Sequence, residues 1–561
     1  GMAGRPCGME HMHIIRFLGR REYGLGATAL AFIVLQVYLD LKLPDYMQTI
    51  TTLIVTPGTA MGRVLGEGAL MLGCALGSML ATVVTGYCMA VIGTSMAQRM
   101  RAGVFDATLD FSMAEIGEFS TPSLITRSTN DVTQIQMFIV MAVQLLVRSP
   151  IVAVWAILKI SDANMTWTLA TGAAVAVLLT VLGVIAVLVT PRMMRMQRIT
   201  DDLNRVTREH LSGLRVIRAY NSQGFHGRRF EAANAELTGA NTFVNNAFAF
   251  LMPSLTAIMS GLSLAIYVLG AVMIDAATGA ERLTLFSQMI VFSAYALQIV
   301  GAFMMLAFVF IFMPRARVAW RRIREVLSTE PGIADGAARV GRSRASGEVE
   351  FRNVSFRYPD AEDDALKDVS FTARPGQTVA IIGSTGSGKS SIVNLVPRFY
   401  DVREGQVLVD GRDVREWEQK ALRDRISFVP QRATLFSGTI ASNIDFGRGA
   451  REVTPRDVVE AAEAASAVEF IAAREGRYAS AVAQGGSNFS GGQKQRLAIA
   501  RAVARGGGVM IFDDSFSALD VATDADLRAA LWPATVGVTK IVVAQRVSTI
   551  RDADQIIVMD A

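Results

Sequence analysis

Long apolar runs alternate with short basic stretches along the first 325 residues of the chain. Four of these runs contain no charged residue: residues 68–98, 163–191, 237–274 and 283–314. Each is longer than the roughly 20 residues that a helix needs to cross a bilayer. Two weaker candidates are Leu25–Leu39, which Asp40 ends, and residues 137–158, which Arg148 interrupts. The pattern predicts six membrane-spanning helices.

The placement of arginine predicts the orientation of these spans, because short loops rich in Arg and Lys stay in the cytoplasm. Every second boundary is basic: Arg16, Arg20 and Arg21; Arg99 and Arg101; Arg192, Arg195 and Arg198; Arg315, Arg317, Arg321, Arg322 and Arg324. The opposite boundaries carry mixed charges: Asp40, Lys42 and Asp45; Lys159 and Asp162; Asp275, Glu281 and Arg282. We therefore expect a multi-pass protein of a cell membrane, taken to be a bacterial inner membrane, with both termini in the cytoplasm.

Two long connections on the cytoplasmic side, residues 99–136 and 192–237, read as helical with few breakers. They predict that the spans continue as helices well beyond the bilayer. The chain would reverse in short exposed elements near Phe111–Thr121 and Leu211–Arg218, where it could contact a cytoplasmic domain. At the N-terminus, His13–Tyr23 is too short and too charged for a signal peptide and predicts an interfacial helix.

Composition divides the chain in the same way. Of its 561 residues, 51% are hydrophobic and 19% are charged, which argues against both an ordinary soluble enzyme and a disordered chain. Residues 1–325 hold 26 basic and 19 acidic side chains, whereas the remainder holds 29 and 31. The net charge of +5 is therefore the sum of +7 on the membrane part and −2 on the remainder, and it indicates no nucleic-acid partner. Cys7, Cys74 and Cys88 form no cluster that would predict a disulfide framework or a zinc site.

The composition changes again after the last apolar run. Residues 326–346 are rich in Gly, Ala, Arg and Ser and predict a linker between a membrane domain, residues 1–325, and a second domain, residues 347–561. In that second domain, β-branched runs alternate with helical patterns and predict a parallel α/β sheet. The predicted strands are Glu348–Phe356, Thr378–Ile382, Arg425–Val429, Val509–Phe512 and Lys540–Val543.

A glycine-rich loop follows the second of these strands. It matches G-x-x-x-x-G-K-[ST] and comprises Gly383, Ser384, Thr385, Gly386, Ser387, Gly388, Lys389 and Ser390, with a helix predicted from Ser391. In such a loop, backbone amides bind phosphates, Lys389 reaches the terminal phosphates and Ser390 can ligate Mg²⁺. A chance glycine-rich loop is the alternative, but strand, spacing and lysine together favour an ATP site. The predicted fold is multidomain: an all-α six-helix transmembrane domain followed by an α/β P-loop nucleotide-binding domain.

Two carboxylates end a later apolar strand. Asp513 and Asp514 directly follow Val509–Phe512. A carboxylate at such a strand end beside the phosphate loop can hold Mg²⁺, which makes Asp513 the candidate metal ligand. Asp514 is either a solvated turn carboxylate or, because of its position next to the metal, a catalytic group.

A further motif identifies the family that this chain resembles. Phe489, Ser490, Gly491, Gly492 and Gln493 resemble the signature of ATP-binding-cassette (ABC) transporters. Six spans followed by this domain are similar to a half-transporter of the exporter type, and Ser123–Asp131 adds a local likeness. The resemblance implies binding of ATP and Mg²⁺. It also implies further roles: adenine stacking for Tyr358, contact with Mg²⁺ for Gln431, and a loop between two sites formed by Ser517, Ala518, Leu519 and Asp520.

Two positions depart from the family pattern. Asp514 stands where the family places a catalytic glutamate, and Gln545 stands where it places a switch histidine. The four histidines, His11, His13, His210 and His226, all precede the second domain, and no glutamate follows Glu475. A shorter carboxylate should position water poorly, and an amide cannot carry the positive charge of a histidine. The sequence therefore predicts that this site binds ATP and hydrolyses it slowly.

The resemblance then implies a partner. In the family two such domains enclose two nucleotides, each held by the phosphate loop of one chain and the signature of the other. We therefore expect a heterodimeric exporter, in which Ser490–Gln493 completes the hydrolytic site of a second half-transporter that retains Glu and His. A slow homodimeric exporter and an exporter-fold importer of a metal chelate are the alternatives.

The cargo is less defined than the energy source. Amphipathic drugs, lipids or peptides fit the exporter interpretation best, and membrane lipids surround the spans. Arg148 is the one charge well inside a predicted span, so it is either a functional intramembrane charge or a group near the inner interface. Methionines such as Met252, Met259 and Met289 could line an adaptable cavity, although packing or contact with lipid explains them better.

Overall fold

The computed structural model describes residues 14–56, 58–161, 165–278, 280–341, 347–447 and 452–560. The chain forms two compact units. The first comprises Gly1–Ala107 with Leu124–Ser328, and the second comprises Thr108–Ser123 with Thr329–Ala561. His13, Cys7 and residues 342–346 of the predicted linker lie outside the described residues.

Long apolar helices build the first unit, because in lipid a helix satisfies all its backbone hydrogen bonds within itself. After a 3₁₀ turn at Ile14–Phe17, the helices of this part of the chain are α1 (Arg20–Val55), α2 (Met61–Asp110), α3 (Met113–Phe119), α4 (Thr121–Thr126), α5 (Val132–Ser161), α6 (Met165–Ser212), α7 (Leu214–Ala219), α8 (Gln223–Ala276) and α9 (Ala280–Ser328). Six helical stretches within the described residues are long and apolar enough to cross a membrane. The predicted number of spans is confirmed, and the short helices α3 and α7 lie at the predicted reversals.

The core of the first unit lies where α1, α5, α6, α8 and α9 meet. Its largest fully buried side chains include Trp167 and Phe292, whose ring centroids are 5.3 Å apart, and Ile266. Large aromatic side chains bury much apolar area in defined positions, so this contact fixes the start of α6 against α9.

The first span differs from its prediction. Helix α1 continues without a break to Val55, so Asp40, Lys42 and Asp45 lie within the helix and not in the predicted outer connection. The reason is that neighbouring helices supply partners for the two carboxylates. Asp40 accepts hydrogen bonds from Ser78 of α2 and from Arg148 Nη2 of α5, the latter at 2.9 Å. Arg148 therefore has an acidic partner inside the helical bundle.

Asp45 forms a second connection one turn further along α1. Its carboxylate lies 3.0 Å from Lys159 Nζ of α5, and it accepts a hydrogen bond of 2.6 Å from Tyr295 Oη of α9. Tyr295 also donates to the carbonyl of Leu41 at 2.8 Å. The charges that ended the predicted span thus join α1 to two other spans.

The pair of Asp40 and Arg148 predicts non-additive stability. Asp40→Asn and Arg148→Gln should each lower the unfolding temperature of the purified protein, because each leaves a partly buried charge without its partner. The double variant should lose less than the sum of the two, with a coupling of roughly 0.5–3 kcal/mol. Thermal unfolding of the four proteins in one detergent measures this. As a control, Asp40→Asn with Lys159→Gln should be additive, since Lys159 bonds to Asp45; additivity in both pairs would contradict the assignment.

A π-helical turn, Arg127–Asp131, lies within the segment that resembles the family. It is bonded to the end of α9: Arg127 Nη1 lies 2.9 Å from Glu325 Oε2, and Arg322 Nη1 lies 3.2 Å from Asp131 Oδ2. Helical turns of this kind are rare and occur often at functional sites. Two ion pairs therefore hold this helical turn, which precedes α5, against the C-terminal end of α9.

Three sheets organise the second unit. The central sheet has five parallel strands in the order β11-β3-β10-β9-β6, β2-β1-β4-β5 form an antiparallel sheet, and β7 and β8 pair as a short ribbon. The strands are β1 (Val349–Phe356), β2 (Leu366–Ala373), β3 (Thr378–Gly383), β4 (Glu404–Val409), β5 (Arg412–Asp413), β6 (Ile426–Val429), β7 (Gly438–Thr439), β8 (Ala481–Val482), β9 (Val509–Asp513), β10 (Thr539–Val543) and β11 (Gln555–Met559).

The parallel sheet is confirmed for four of the five predicted strands. The first, predicted at Glu348–Phe356, belongs to the antiparallel sheet, so its assignment to a parallel sheet was wrong. Its alternating burial, with Val349, Phe351, Val354 and Phe356 inside, is typical of a strand with one solvated face. By contrast, every residue of β9 and β10 is buried, as expected for strands covered on both faces.

Helices cover the central sheet and lie in the connections between its strands. They are α10 (Lys389–Leu395), α11 (Gln419–Arg423), α12 (Ile440–Ile444), α13 (Pro455–Ala464), α14 (Val468–Ala472), α15 (Gly491–Arg505), α16 (Val521–Ala534) and α17 (Val547–Ile550). Two apolar clusters fill the space between the layers, one around Phe512 and Leu497 and one around Phe351 and Ile392. This packing holds the carboxyl ends of the central strands at one edge.

The segment predicted as a linker is bound along the second domain. Gly336 donates to the carbonyl of Trp417 at 3.0 Å, and Ala338 forms a parallel bridge with the same residue. Buried Arg398 donates to the carbonyl of Ala334 at 3.0 Å. Helix α9 itself continues to Ser328, beyond the predicted domain boundary.

Helix α3 is bonded to the same segment. Glu115 accepts from the backbone N–H of Ser112 at 2.6 Å, which closes the capping box of α3, and its other oxygen accepts from the N–H of Gly332 at 3.2 Å. The first predicted reversal, at α3, is therefore joined through Gly332 to the segment that follows α9.

Candidate nucleotide site

The candidate site lies at the carboxyl edge of the central sheet, where α/β proteins bind ligands. Strand β3 leads into the phosphate loop, β9 ends at Asp513 and is followed by Asp514, and β10 is followed by Ala544 and Gln545. Gln431 lies two residues beyond the end of β6, directly after Pro430. Parallel pairing of these strands places residues that are up to 162 positions apart in sequence, as in the match of Lys540 with Thr378, side by side.

The phosphate loop closes around its own lysine. Lys389 Nζ donates to the carbonyls of Gly383 at 2.9 Å and Ser384 at 2.6 Å, and it lies 3.4 Å from Ser387 Oγ. Gly386 and Gly388 have φ of +92° and +85°, and a Cβ on Gly388 would lie 2.6 Å from the carbonyl oxygen of Ala365. Only glycine fits this backbone, which leaves the loop amides close to where phosphates would bind.

The helix after the loop begins at Lys389, two residues earlier than predicted. Ser384, Thr385 and Gly386 form the exposed crest of the loop, whereas Ser387 is buried. The N-terminus of α10, with its unpaired amides and positive dipole end, favours an anion at this place.

Two residues suit a magnesium ion. Ser390 Oγ donates to Asp513 Oδ1 at 2.8 Å, so a hydroxyl and a carboxylate oxygen already face each other. Burial, together with the negative charge of Asp514, raises the pKa of Asp513 above its ordinary value. Mg²⁺ is usually held by one or two carboxylates and by phosphates of the nucleotide, so this donor set fits. No group of three or more His, Cys, Asp or Glu that could hold a metal occurs among the described residues.

Asp514 is held by two glutamine side chains. Gln431 Nε2 donates to Asp514 Oδ2 at 3.2 Å, and Gln545 Nε2 donates to the same oxygen at 2.9 Å. Asp514 is 7% exposed and its backbone has φ of +46°, a left-handed conformation that is uncommon outside glycine. The structure therefore brings together the two positions that depart from the family pattern, and it links both to Gln431.

Tyr358 lies beside the phosphate-loop helix. Its Oη is 3.0 Å from Ser391 Oγ, and its ring makes edge contacts with Phe356 and Tyr400 at centroid distances of 4.8 and 5.2 Å. Adenine stacking by Tyr358 stays a prediction. The contact with Ser391 was not evident from the sequence, because the two residues are 33 positions apart.

The signature residues start helix α15. Ser490 is the N-cap: its Oγ accepts from the N–H of Gln493 at 3.3 Å, and its own N–H donates to Gln493 Oε1 at 3.1 Å. Phe489 is buried and lies under the guanidinium of Arg474, which is 3.9 Å from the ring centroid. Gly491 has open space around its missing Cβ. The capped helix thus presents its N-terminus to the surface of the unit.

The loop Ser517–Asp520 lies between the carboxylates and the signature. Ser517 Oγ donates to the carbonyl of Asp514 at 2.8 Å, and Ala518 is exposed. Leu519 is buried, and a Cβ on Gly492 would lie 3.2 Å from its Cδ2. Asp520 caps α16 by accepting a hydrogen bond of 2.9 Å from the N–H of Thr523. This hydrogen bond helps to hold the pKa of Asp520 below its usual range.

Arg546 was not assigned a role from the sequence. Its Nη1 donates to the carbonyl of Leu519 at 3.0 Å, and its Nη2 donates to the carbonyl of Ser517 at 3.3 Å. Its place directly after Gln545 was the available signal, since neighbouring residues at a strand end can reach opposite parts of one site.

A strand-loop-helix phosphate site with a hydroxyl and a carboxylate for Mg²⁺ defines a P-loop nucleotide-binding domain, and here it follows six membrane-spanning helices. Comparison with known families agrees: the model of the ABC transporter transmembrane region matches residues 30–303, and the ABC transporter model matches residues 366–517. The chain belongs to the ABC transporter family. It is a multi-pass membrane protein with the architecture of an ABC half-transporter, and the family implies ATP-driven transport.

Several relatives are similar over most of their length. An ABC transporter ATP-binding protein of Mycobacterium tuberculosis, Rv1273c, is 40% identical over 92% of this chain and 88% of its own length. The protein YfiB of Bacillus subtilis, also an ABC transporter ATP-binding protein, is 33% identical over 88% and 84%. An ATP-dependent lipid A-core flippase of Pseudomonas aeruginosa is 32% identical over 86% and 78%.

The fold has a close match among solved structures. A bacterial Atm1-family ABC exporter with ATP bound superimposes with a TM-score of 0.79 and covers 96% of this chain and 94% of its own. The sequence identity is 24%, so the likeness concerns the fold. The exporter architecture predicted from the number of spans and the loop lengths is confirmed.

Proposed function

We propose that this chain is one subunit of an ATP-driven heterodimeric exporter, and that its own nucleotide site binds ATP with Mg²⁺ but hydrolyses it slowly. The observation that carries the proposal is the environment of Asp514. Its carboxylate is one methylene shorter than that of a glutamate, and two amide groups converge on its Oδ2. A general base must reach the attacking water within hydrogen-bond distance, and a shortened side chain held by Gln431 and Gln545 is poorly suited to that task.

The switch position supports the same conclusion. Gln545 can donate a hydrogen bond to a phosphate, but it cannot become a cation as a histidine can. The hydroxyl, lysine and aspartate that bind the nucleotide and its metal are present at Ser390, Lys389 and Asp513. Binding should therefore persist where hydrolysis is impaired.

The signature supports the presence of a partner. Ser490 and Gln493 form an intact capping box, and the N-terminus of α15 is a ready anion site. In the proposed dimer this surface completes the site of a second half-transporter that carries a catalytic Glu and a switch His. Hydrolysis there, together with closure of the two nucleotide-binding domains, would drive the change between inward-facing and outward-facing spans.

An asymmetry between two variants tests the proposal. In the purified complex, Asp514→Asn should leave the ATPase rate within about twofold, because this site contributes little to turnover. Gly491→Asp should lower the rate by about tenfold or more, because it adds a negative charge at a helix N-terminus that binds phosphate. The substitution should not disturb the fold, since no atom lies within 4 Å of the added Cβ.

Two results would contradict the proposed heterodimer. The first is that this chain purified alone hydrolyses ATP rapidly. The second is that Asp514→Asn and Gly491→Asp reduce activity equally in a complex made only of this chain, which is the behaviour of a homodimer with two identical sites.

For the cargo we propose an amphipathic drug, lipid or peptide. The spans are long and apolar. Relatives named lipid A-core flippases favour a lipid among these cargoes. The arginine-rich boundaries support cytoplasmic termini and therefore ATP hydrolysis in the cytoplasm. Transport of a fluorescent amphipath into inside-out vesicles should require ATP; ATP-driven movement in the opposite direction would favour an importer.

A further inference from the structure

We propose that Arg546 is a positioning residue that couples this chain's own nucleotide site to the signature that serves the other site of the dimer. The proposal rests on the proposed two-site function and adds a physical route between the sites. The guanidinium of Arg546 donates its hydrogen bonds to two backbone carbonyls of the loop Ser517–Asp520, those of Leu519 and Ser517.

The route begins at the end of β10. Gln545 Nε2 bonds to the carboxylate of Asp514, and the next residue, Arg546, bonds to the carbonyls of Ser517 and Leu519. Two consecutive side chains therefore hold both ends of one short segment. A displacement of Gln545 toward a phosphate would move the backbone from which Arg546 extends.

The loop is well suited to transmit such a displacement. Ser517 Oγ bonds to the carbonyl of Asp514 at 2.8 Å, while Phe516 and Leu519 are anchored in the apolar core with 3% and 4% of their surface exposed. A loop with buried anchors moves as a body, because cores are close-packed and resist local deformation.

The route ends at the signature. Leu519 Cδ2 lies 3.2 Å from where a Cβ on Gly492 would be, so this side chain packs directly against the start of α15. Movement of Leu519 would therefore displace or release the helix N-terminus that binds the nucleotide of the other chain. Arg546 holds Leu519 in this place through its main-chain carbonyl.

Arginine is suited to this role because its planar group can donate to two carbonyls at once. Lysine has a single nitrogen and cannot reproduce both bonds with the same geometry. Arg546→Ala should therefore remove both hydrogen bonds to the loop Ser517–Asp520, and Arg546→Lys should restore them only in part. Arg551→Ala is the matched control, since Arg551 lies five residues on, its side chain is 80% exposed and it forms an ion pair with its neighbour Asp552.

Hydrogen–deuterium exchange on the purified full-length complex, with and without MgATP and under conditions that prevent turnover, provides the test. In the wild type, MgATP should protect both the phosphate loop, residues 383–391, and the signature segment, residues 488–495. In Arg546→Ala the protection of the phosphate loop should remain while that of the signature segment is lost. Arg551→Ala should behave as the wild type.

Steady-state kinetics give the second readout. Arg546→Ala should lower kcat by roughly two- to thirtyfold, the range found for substitutions that change coupling between sites, with KM for ATP nearly unchanged. Arg546→Lys should give an intermediate kcat. Wild-type protection of the signature segment in Arg546→Ala, or loss of protection at the phosphate loop as well, would overturn the proposal. Absence of any MgATP protection in the wild type would instead contradict the proposed nucleotide site itself.

Discussion

Asp514→Glu combined with Gln545→His is expected to raise hydrolysis at this chain's own nucleotide site by about 10²-fold or more, within the range that general-base catalysis contributes. The glutamate extends the carboxylate by one methylene toward the water, and the substitution at position 545 removes the amide that lies 2.9 Å from Asp514 Oδ2. An imidazole at the same place can also carry positive charge near the phosphate.

The increase in hydrolysis has to be measured in a background in which the other nucleotide site of the complex is inactive. In the complex, the Gly491→Asp background disables the site that this chain's signature completes, so any recovered phosphate release reports the site of Lys389 and Asp513. Asp526→Glu is the matched control, because it adds the same methylene at an exposed position of α16. No recovery in that background would mean that the two departures are not what limits hydrolysis.

Lys389→Ala is expected to weaken ATP binding by about tenfold to 10²-fold, the value of losing a hydrogen bond to a charged group. Lys389 is 9% exposed, and its ammonium is held among the carbonyls of Gly383 and Ser384, which places it for the terminal phosphates. Its removal deletes the main cation of the site and also frees the loop from the bonds that shape it.

Equilibrium titration with a fluorescent ATP analogue measures this effect without depending on hydrolysis. Lys367→Ala serves as the control, since Lys367 is exposed on β2 and should leave affinity unchanged. An unchanged dissociation constant for Lys389→Ala would contradict the nucleotide site, whichever oligomer the chain forms.

Much of the fold could be predicted from the sequence because the signals are local. An uncharged run longer than a bilayer is thick can hardly be anything other than a span, and the phosphate loop lies between a strand and a helix in consecutive residues. The same holds for Asp513 and Asp514, which directly follow a buried strand. The sequence therefore predicted an ATP site, although it did not predict the distances between the side chains of that site.

Non-local contacts account for what the sequence missed. The first span was ended at Asp40 because a charge in lipid is costly, but Arg148 and Ser78 from other helices offset that cost. The strand at Val349–Phe356 was assigned to the wrong sheet because its pairing depends on β2 and β4. The position of Arg546 after Gln545 was a signal, but its particular partners, the carbonyls of Ser517 and Leu519, depend on how two strand ends meet.

The sequence by itself determined the class of this protein: six spans, an ATP-binding domain, and two substitutions at positions where the family has Glu and His. Only the tertiary structure decided that Gln431 and Gln545 both donate to one carboxylate oxygen of Asp514. It also decided that Asp40 and Arg148 pair, and that Arg546 reaches the loop beside the signature. The physical reason is that hydrophobic periodicity and glycine-lysine motifs depend on neighbouring residues, whereas hydrogen bonds between strand ends and between helices depend on the packing of the whole chain.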